Sequence, residues 1–406
     1  FGQKPFKFSP PDGFQPLNTA NTRPVKVISR PDQYVGVTTY TGDNTASKKI
    51  DNLLFSPDLV WVKDRNLNFT HFLNDTVRGA GKILQSNVTT AETDNSDTAA
   101  AFPSFDPNGF TVGTNSNWQM NGNNEPYVAW CWKAGGKPTA TNTQTSGAMT
   151  ANSVSVDGVL QSAYTPSGSP SKYPKKMSIG TKQGFSIVQF EGTGANATVP
   201  HGLGKPAKFM IVKNMDESTG WGVYHDAIGH NGGNNYIELQ SGSGASSSDT
   251  AFQDTAPTSD VFSVGSKAAV NDTNDDSIAY IWCDIPGLQK FGDYVANGSA
   301  DGNFIELGFR PAILWIKATG SYSPGNWFCH DSERDKFNPT AGSLQVDRYQ
   351  QEDQLGSAYY VDFLSNGFKL RADGNGENGA SGNTYIYCAW AEAPSVDLFG
   401  GGANAR

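Results

Sequence analysis

Three short strings place a histidine and an aspartate close to aromatic residues: His71-Phe-Leu-Asn74-Asp75, Trp221-Gly-Val-Tyr-His225-Asp226 and Trp327-Phe-Cys-His330-Asp331. An indole can stack on a sugar ring while a neighbouring imidazole and carboxylate hydrogen-bond its hydroxyls. Trp221, His225, Asp226, Trp327, His330 and Asp331 are therefore candidate carbohydrate contacts. The same strings also read as strands with apolar residues facing a core, each ended by an Asp that bonds its own backbone in a turn. Their return at the same place in three parts of the chain favours that scaffold role. Trp118 has no counterpart elsewhere and stands near a loop, which makes it a further carbohydrate-binding candidate.

Other chemistries find less support. A nucleophilic triad needs a Ser or Cys beside a His with an orienting acid, and no G-x-S-x-G string occurs. Glycan hydrolysis on a β-sandwich would be expected from Glu-x-Asp-x-x-Glu along one strand, and that string is missing too. A non-enzymatic role is expected. Cys131, Cys283, Cys329 and Cys388 sit singly in apolar runs, outside the C-x-x-C spacing of zinc or redox sites. They read as buried thiols, with a bridge between Cys329 and Cys388 left open. Asn121-Gly-Asn-Asn-Glu125, Asn271-Asp-Thr-Asn-Asp-Asp276 and Asp373-Gly-Asn-Gly-Glu377 offer oxygens that would suit Ca²⁺, and they serve equally as hairpin turns. No cofactor is otherwise expected.

The elements that position these residues repeat. Pro57-Asp-Leu-Val-Trp-Val-Lys63, Pro206-Ala-Lys-Phe-Met-Ile-Val-Lys213 and Pro311-Ala-Ile-Leu-Trp-Ile-Lys317 read as strands that begin with Pro and end in Lys. A Phe entering a second strand follows each at similar distance, as Phe110, Phe262 and Phe368, and an aromatic strand containing Cys131, Cys283 or Cys388 closes each unit. Those three cysteines then occupy matching scaffold positions. An aromatic strand running into a glycine turn opens each unit, as in Val37-Thr-Thr-Tyr-Thr-Gly42 and Ile187-Val-Gln-Phe-Glu-Gly192. The pattern predicts an all-β protein with three tandem β-sandwich modules. Expected boundaries are an N-terminal extension over 1–34, modules over 35–136, 184–288 and 289–394, a Ser/Thr/Gly-rich linker or loosely attached hairpin over 137–183, and a tail over 395–406. Forty-five glycines and 12% aromatic residues suit short strands and many turns. The net charge of −9 opposes a basic footprint for nucleic acid, and no apolar run approaches the ~20 residues of a membrane helix.

Several strings resemble the tandem modules of tailed-bacteriophage virion proteins, especially those of marine and cyanobacterial phages. They are Thr39-Tyr-Thr-Gly42, Pro57 to Lys63, Asp75-Thr-Val-Arg-Gly79, Tyr127-Val-Ala-Trp-Cys-Trp-Lys-Ala-Gly-Gly136, Gly184-Phe-Ser-Ile-Val188, Val199-Pro-His-Gly-Leu-Gly204 and Leu398 to Arg406. The resemblance implies concanavalin-like or laminin-G-like jelly rolls over about residues 35 to 406. It also implies a tail-fibre or similar appendage subunit on the outer surface of the virion, adhering to host glycan and assembling as a homo-oligomer, a trimer in many such appendages, with other virion proteins. A structural tail or capsid accessory and a polysaccharide depolymerase are the alternatives. Phe1-Gly-Gln-Lys-Pro-Phe6 with Pro10-Pro-Asp-Gly-Phe14 resembles the last strand of a SPRY domain, which implies such a domain before residue 1.

Overall fold

The computed structural model describes residues 27–95, 101–114, 119–228, 235–247, 249–320, 325–352, 359–374, 376–379, 381–396 and 402–403. Trp118, most of the expected N-terminal extension and most of the tail lie outside them. The described chain is nearly all β, with two one-turn helices at Asp249–Phe252 and Ala268–Asn271.

One four-strand arrangement occurs three times. The opening strands Val35–Thr41, Phe185–Glu191 and Gln289–Val295 each pair antiparallel with a closing strand, Pro126–Trp132, Asp276–Trp282 or Thr384–Ala391. The closing strand pairs on its other edge with the proline-led strand Leu59–Asp64, Phe209–Asn214 or Pro311–Ala318. A return strand follows, Phe72–Asp75, Trp221–His225 or Trp327–Asp331. A smaller sheet accompanies each set, built on Gly109–Val112, Val261–Val264 or Gly367–Leu370.

Strand alternation sends successive side chains to opposite faces, and here both faces are covered. In the first closing strand Tyr127, Ala129 and Cys131 pack towards the small sheet, while Val128, Trp130 and Trp132 enter a central cluster. In the third, Tyr385, Tyr387 and Ala389 face their small sheet, and Ile386, Cys388 and Trp390 join the same central cluster. Burial on both faces explains why these strands are apolar throughout rather than alternating.

Strand register corrects the alignment expected from the strings. Leu59, Phe209 and Ile313 are equivalent by position, and they face Trp132, Trp282 and Trp390. These three tryptophans are thus the matching residues. Cys388 falls where the first two repeats have Trp130 and Tyr280, so the cysteines are not equivalent. All four thiols are free and buried. Cys329 and Cys388 both lie opposite Trp315, on strands to either side of it. Two strand spacings, about 10 Å, separate them, beyond disulfide reach.

The expected linker is also structured. Lys176–Gly180 pairs antiparallel with the second opening strand, and Val154–Val156 pairs parallel with Lys176–Gly180. With Val159–Leu160 these strands extend the second sheet to nine. The hairpin alternative matches Val154–Val156 with Val159–Leu160, in the stretch Ser153 to Leu160 that reads as a strand candidate, while the strand Lys176–Gly180 that ties it to the second sheet carried no such signal.

Candidate binding site

Five of the candidate carbohydrate contacts are buried: Trp221, His225, Trp327, His330 and Asp331 are at most 1% exposed. Neither indole offers a face to a sugar, and the residues serve the joints between repeats instead. Tyr280 Oη donates to Asp75 Oδ2 at 2.8 Å, joining the second repeat to the first, and Trp130 Nε1 donates to Asp331 Oδ2 at 3.0 Å, joining the first to the third. His225 Nε2 donates to Tyr387 O at 3.2 Å and joins the second to the third. Asp75, His225 and Asp331 hold the same register position, so these contacts form one cyclic set.

A second cyclic set uses His71, Trp221 and Trp327, which are also equivalent. Trp221 Nε1 donates to Gln85 O and Val88 O, Trp327 Nε1 to Glu238 O, and His71 Nε2 to Gln345 O. Backbone bonds repeat the cycle, from Glu92 N to Met215 O, Ala245 N to Thr319 O, and Glu352 N to Arg65 O, at 2.7–2.8 Å. Trp132, Trp282 and Trp390 meet edge-to-face at the centre, with ring centroids 5.4–6.1 Å apart. The three histidines of the strings therefore do not share one position.

Asp75 and Asp331 each cap their own turn and bind an arginine three residues on. Asp331 holds Arg334 Nε at 2.5 Å, and Asp75 holds Arg78. The repeated Asp-x-x-Arg spacing was a readable signal of this pair. Asp226 is the candidate that remains partly exposed, and it pairs with Lys208 at 2.5 Å. His330 Nε2 contacts Glu377 Oε1 at 2.5 Å and its Nδ1 lies 3.2 Å from Thr340 Oγ1.

A recurring asparagine clasp lies within the first two stretches expected to suit Ca²⁺ and one residue after the third. Asn121, Asn271 and Asn378 are buried, and each Oδ1 accepts a backbone N–H from the loop after the opening strand, at Asp43, Thr193 and Asn297. Their Nδ2 groups donate back to that loop. The approach is close: a Cβ on Gly42 would lie 2.0 Å from Gly122 O, and one on Gly192 1.9 Å from Asp272 O. Among the described residues no group of three His, Cys, Asp or Glu side chains converges for a metal.

A surface cavity of about 480 Å³ opens where the first repeat meets the insert. Its wall includes the Phe105 ring, the hydroxyl residues Thr76 and Ser104, Asp58, Lys133 and Lys137. Asp58 Oδ1 accepts the Thr76 hydroxyl at 2.7 Å, and Oδ2 accepts Ala134 N–H at 2.8 Å and Gly136 N–H at 3.1 Å. Burial pushes the Asp58 carboxyl up from its ordinary range, against these three hydrogen bonds and the nearby Lys133. The same carboxylate thus fixes the chain as it leaves the closing strand for the insert. Gly136, Lys137 and Gly158 supply the insert's side of the wall.

The hollow recurs: a cavity of about 280 Å³ in the third repeat is lined by Ala312, Ser332 and Ala391, the register equivalents of Asp58, Thr76 and Lys133, so what belongs to the first repeat is this set of polar side chains and the insert's wall. Lys208 and Ala312 stand where Asp58 would be, and Cys283 and Ala391 where Lys133 would be, by register. Phe105 and Phe363 face matching phenylalanines in their hairpins, yet Phe363 is 1% exposed and Phe105 is partly open. A second cavity of about 510 Å³ is lined by Asn44, Asn121, Asn123, Glu125, Thr114 and Gln119. Part of its wall is the asparagine clasp, which recurs in every repeat.

One family model, described as a domain of unknown function (DUF7483), matches residues 30–169 and again 161–394. The chain belongs to the DUF7483 family. No curated protein matches it. The two matched ranges meet inside the insert, so the first of them carries both walls of the Phe105 cavity. Thr114 and Gln119, either side of the segment with Trp118, reach the second cavity and not the first.

Proposed function

We propose that this DUF7483 chain is a non-enzymatic subunit of a phage virion appendage, displayed on the particle surface, which adheres to host-surface glycan. On this reading its three repeats are tandem concanavalin-like or laminin-G-like jelly rolls, and it assembles with further copies of itself and with other virion proteins. The observation that carries the reading is the Phe105 cavity. It combines a partly open aromatic ring with hydroxyls and charged groups, the mixture a sugar requires, and that set of side chains stands in the first repeat, while the smaller cavity at the matching place in the third is lined by Ala312, Ser332 and Ala391 there. A scaffold hollow recurs with the scaffold, whereas its lining can be specialised for a ligand in a single copy.

The test is binding of the purified chain to glycan from bacterial envelopes, with Phe105→Ala beside the unaltered protein. The expected result is saturable binding that Phe105→Ala weakens at least tenfold without loss of fold. Release of reducing ends during incubation would instead support a depolymerase. Equal retention by both proteins would remove the cavity from adhesion and favour a structural accessory.

A further inference from the structure

We infer that the Phe105 cavity takes an acidic saccharide, with the sugar ring against Phe105 and its anionic group between the Lys133 and Lys137 ammonium groups. This rests on the glycan-binding reading and names the class of glycan. Nine lysines are committed elsewhere. Lys48, Lys82, Lys172, Lys175, Lys208 and Lys369 hold carboxylates at 2.5–3.1 Å. Lys63, Lys213 and Lys317 are buried and donate to backbone carbonyls. Lys133 and Lys137 converge on one cavity, and neither has a carboxylate within ion-pair distance among the described residues.

Asp58 is the one acid in the wall, and its two oxygens already accept three protein donors. Two ammonium groups against one satisfied carboxylate leave the cavity net positive on a protein whose overall charge is −9. A local positive site on an acidic surface selects anions and tolerates few other ligands. Lys133 leaves the end of a closing strand whose side chains are buried, so its backbone is fixed by the sheet. Lys137 is exposed and stands four residues further on, in the insert, held near by the two N–H bonds to Asp58. The anionic group can be a carboxylate or a sulfate or phosphate ester, since all three accept ammonium donors.

The test is a glycan array carrying neutral, carboxylated, sulfated and phosphorylated oligosaccharides, probed with the unaltered chain, Lys133→Gln/Lys137→Gln, and Lys48→Gln as a charge control. Acidic glycans should dominate the signals, weaken as salt is raised, and fall at least tenfold in the double variant but not in the control. The acid classes that respond identify the anionic group. Signals confined to neutral glycans, or unchanged in the double variant, would overturn this inference and leave adhesion standing. No signal in any class would overturn the adhesion reading itself.

Discussion

Truncation of Trp132 to Ala should destabilise all three repeats together. Its ring lies 6.1 Å from Trp282, 5.4 Å from Trp390 and 6.3 Å from Trp315. An indole buries about 200 Å² of surface, and at about 25 cal/mol/Å² its removal costs about 5 kcal/mol. Against this, Trp132 Nε1 has no hydrogen-bond partner, and losing such a buried donor returns about 1–3 kcal/mol. The net loss is about 3 kcal/mol, rising towards 5 if the central cluster does not collapse into the space. Trp132→Phe keeps most of the ring and removes the donor, so it should stay within about 1 kcal/mol of the unaltered protein. Guanidinium unfolding followed by circular dichroism gives the size of each change. Hydrogen exchange in Asp276–Trp282 and Thr384–Ala391 gives its reach. If Trp132→Ala accelerates exchange in the first repeat and leaves those two strands protected, the repeats do not share one core.

Acid should weaken the fold as pH falls from about 6.5 towards 4. His225 and His201 each use Nδ1 as acceptor from a backbone N–H and Nε2 as donor to a carbonyl, and burial holds both down to about 4. The unfolded chain takes up these protons first, so their stabilisation is complete above about pH 6.5 and lost as pH falls towards 4, roughly 3 kcal/mol for each. Asp347, which burial raises to about 6, opposes part of this by gaining stability as pH drops through 6. Urea midpoints between pH 7 and 4 should show a net fall, and a midpoint that rises would refute the histidine assignment. Lys63, Lys213 and Lys317 are lowered to about 8 by burial. Stability should therefore climb between pH 8 and 9, because unfolded lysines still bind protons there, and a flat profile over that range would contradict it; above about pH 9 the four thiols, whose protons burial retains, oppose the rise. Asn271→Ala removes one Oδ1 acceptor and three Nδ2 bonds, to Thr193, Ala195 and Gly265, and should cost about 3 kcal/mol by chemical denaturation. Four thiols should react with a thiol reagent after unfolding under non-reducing conditions, and two would mean that a bridge exists.

Much of the scaffold was legible because each repeat marks its strands with β-branched and aromatic runs. The joints between repeats were not. Matching Tyr127 with Tyr280 and Cys131 with Cys283 puts three residues between the pair in one string and two in the other, a mismatch that signals a wrong frame. Sliding a strand by two residues keeps every side chain on its own face, so aligning the strings by their aromatic residues can set Trp130 against Trp282, whereas register makes Trp132 the equivalent of Trp282. The histidine strings misled for a related reason. A buried His or Trp that donates to a neighbouring carbonyl has the composition of a sugar platform, and only burial separates the two. Phe105, Lys133 and Lys137 carried no signal at all, since the wall they share is completed by an insert whose composition resembles a linker.

The cyclic joints bear on how adhesion could be strong. Repetition within one chain usually suggests several equal sites, each weak, acting together. Here the equivalent faces are spent on one another: His71, Trp221 and Trp327 each donate across a joint, and the central tryptophans close the ring. The Phe105 lining is left as a single copy, because Ala312 and Ala391 replace Asp58 and Lys133 at the matching cavity of the third repeat and the insert has no equivalent there. On the adhesion reading, one chain therefore binds one glycan segment, and avidity must come from several chains on a particle. Any oligomer would have to form through surfaces other than the joints. A variant closed at the cavity, such as Gly158→Trp, tests this. It should abolish glycan capture by particle and isolated chain alike, while assembly of the particle proceeds. Capture that persists on the particle would place the adhesive site on another surface.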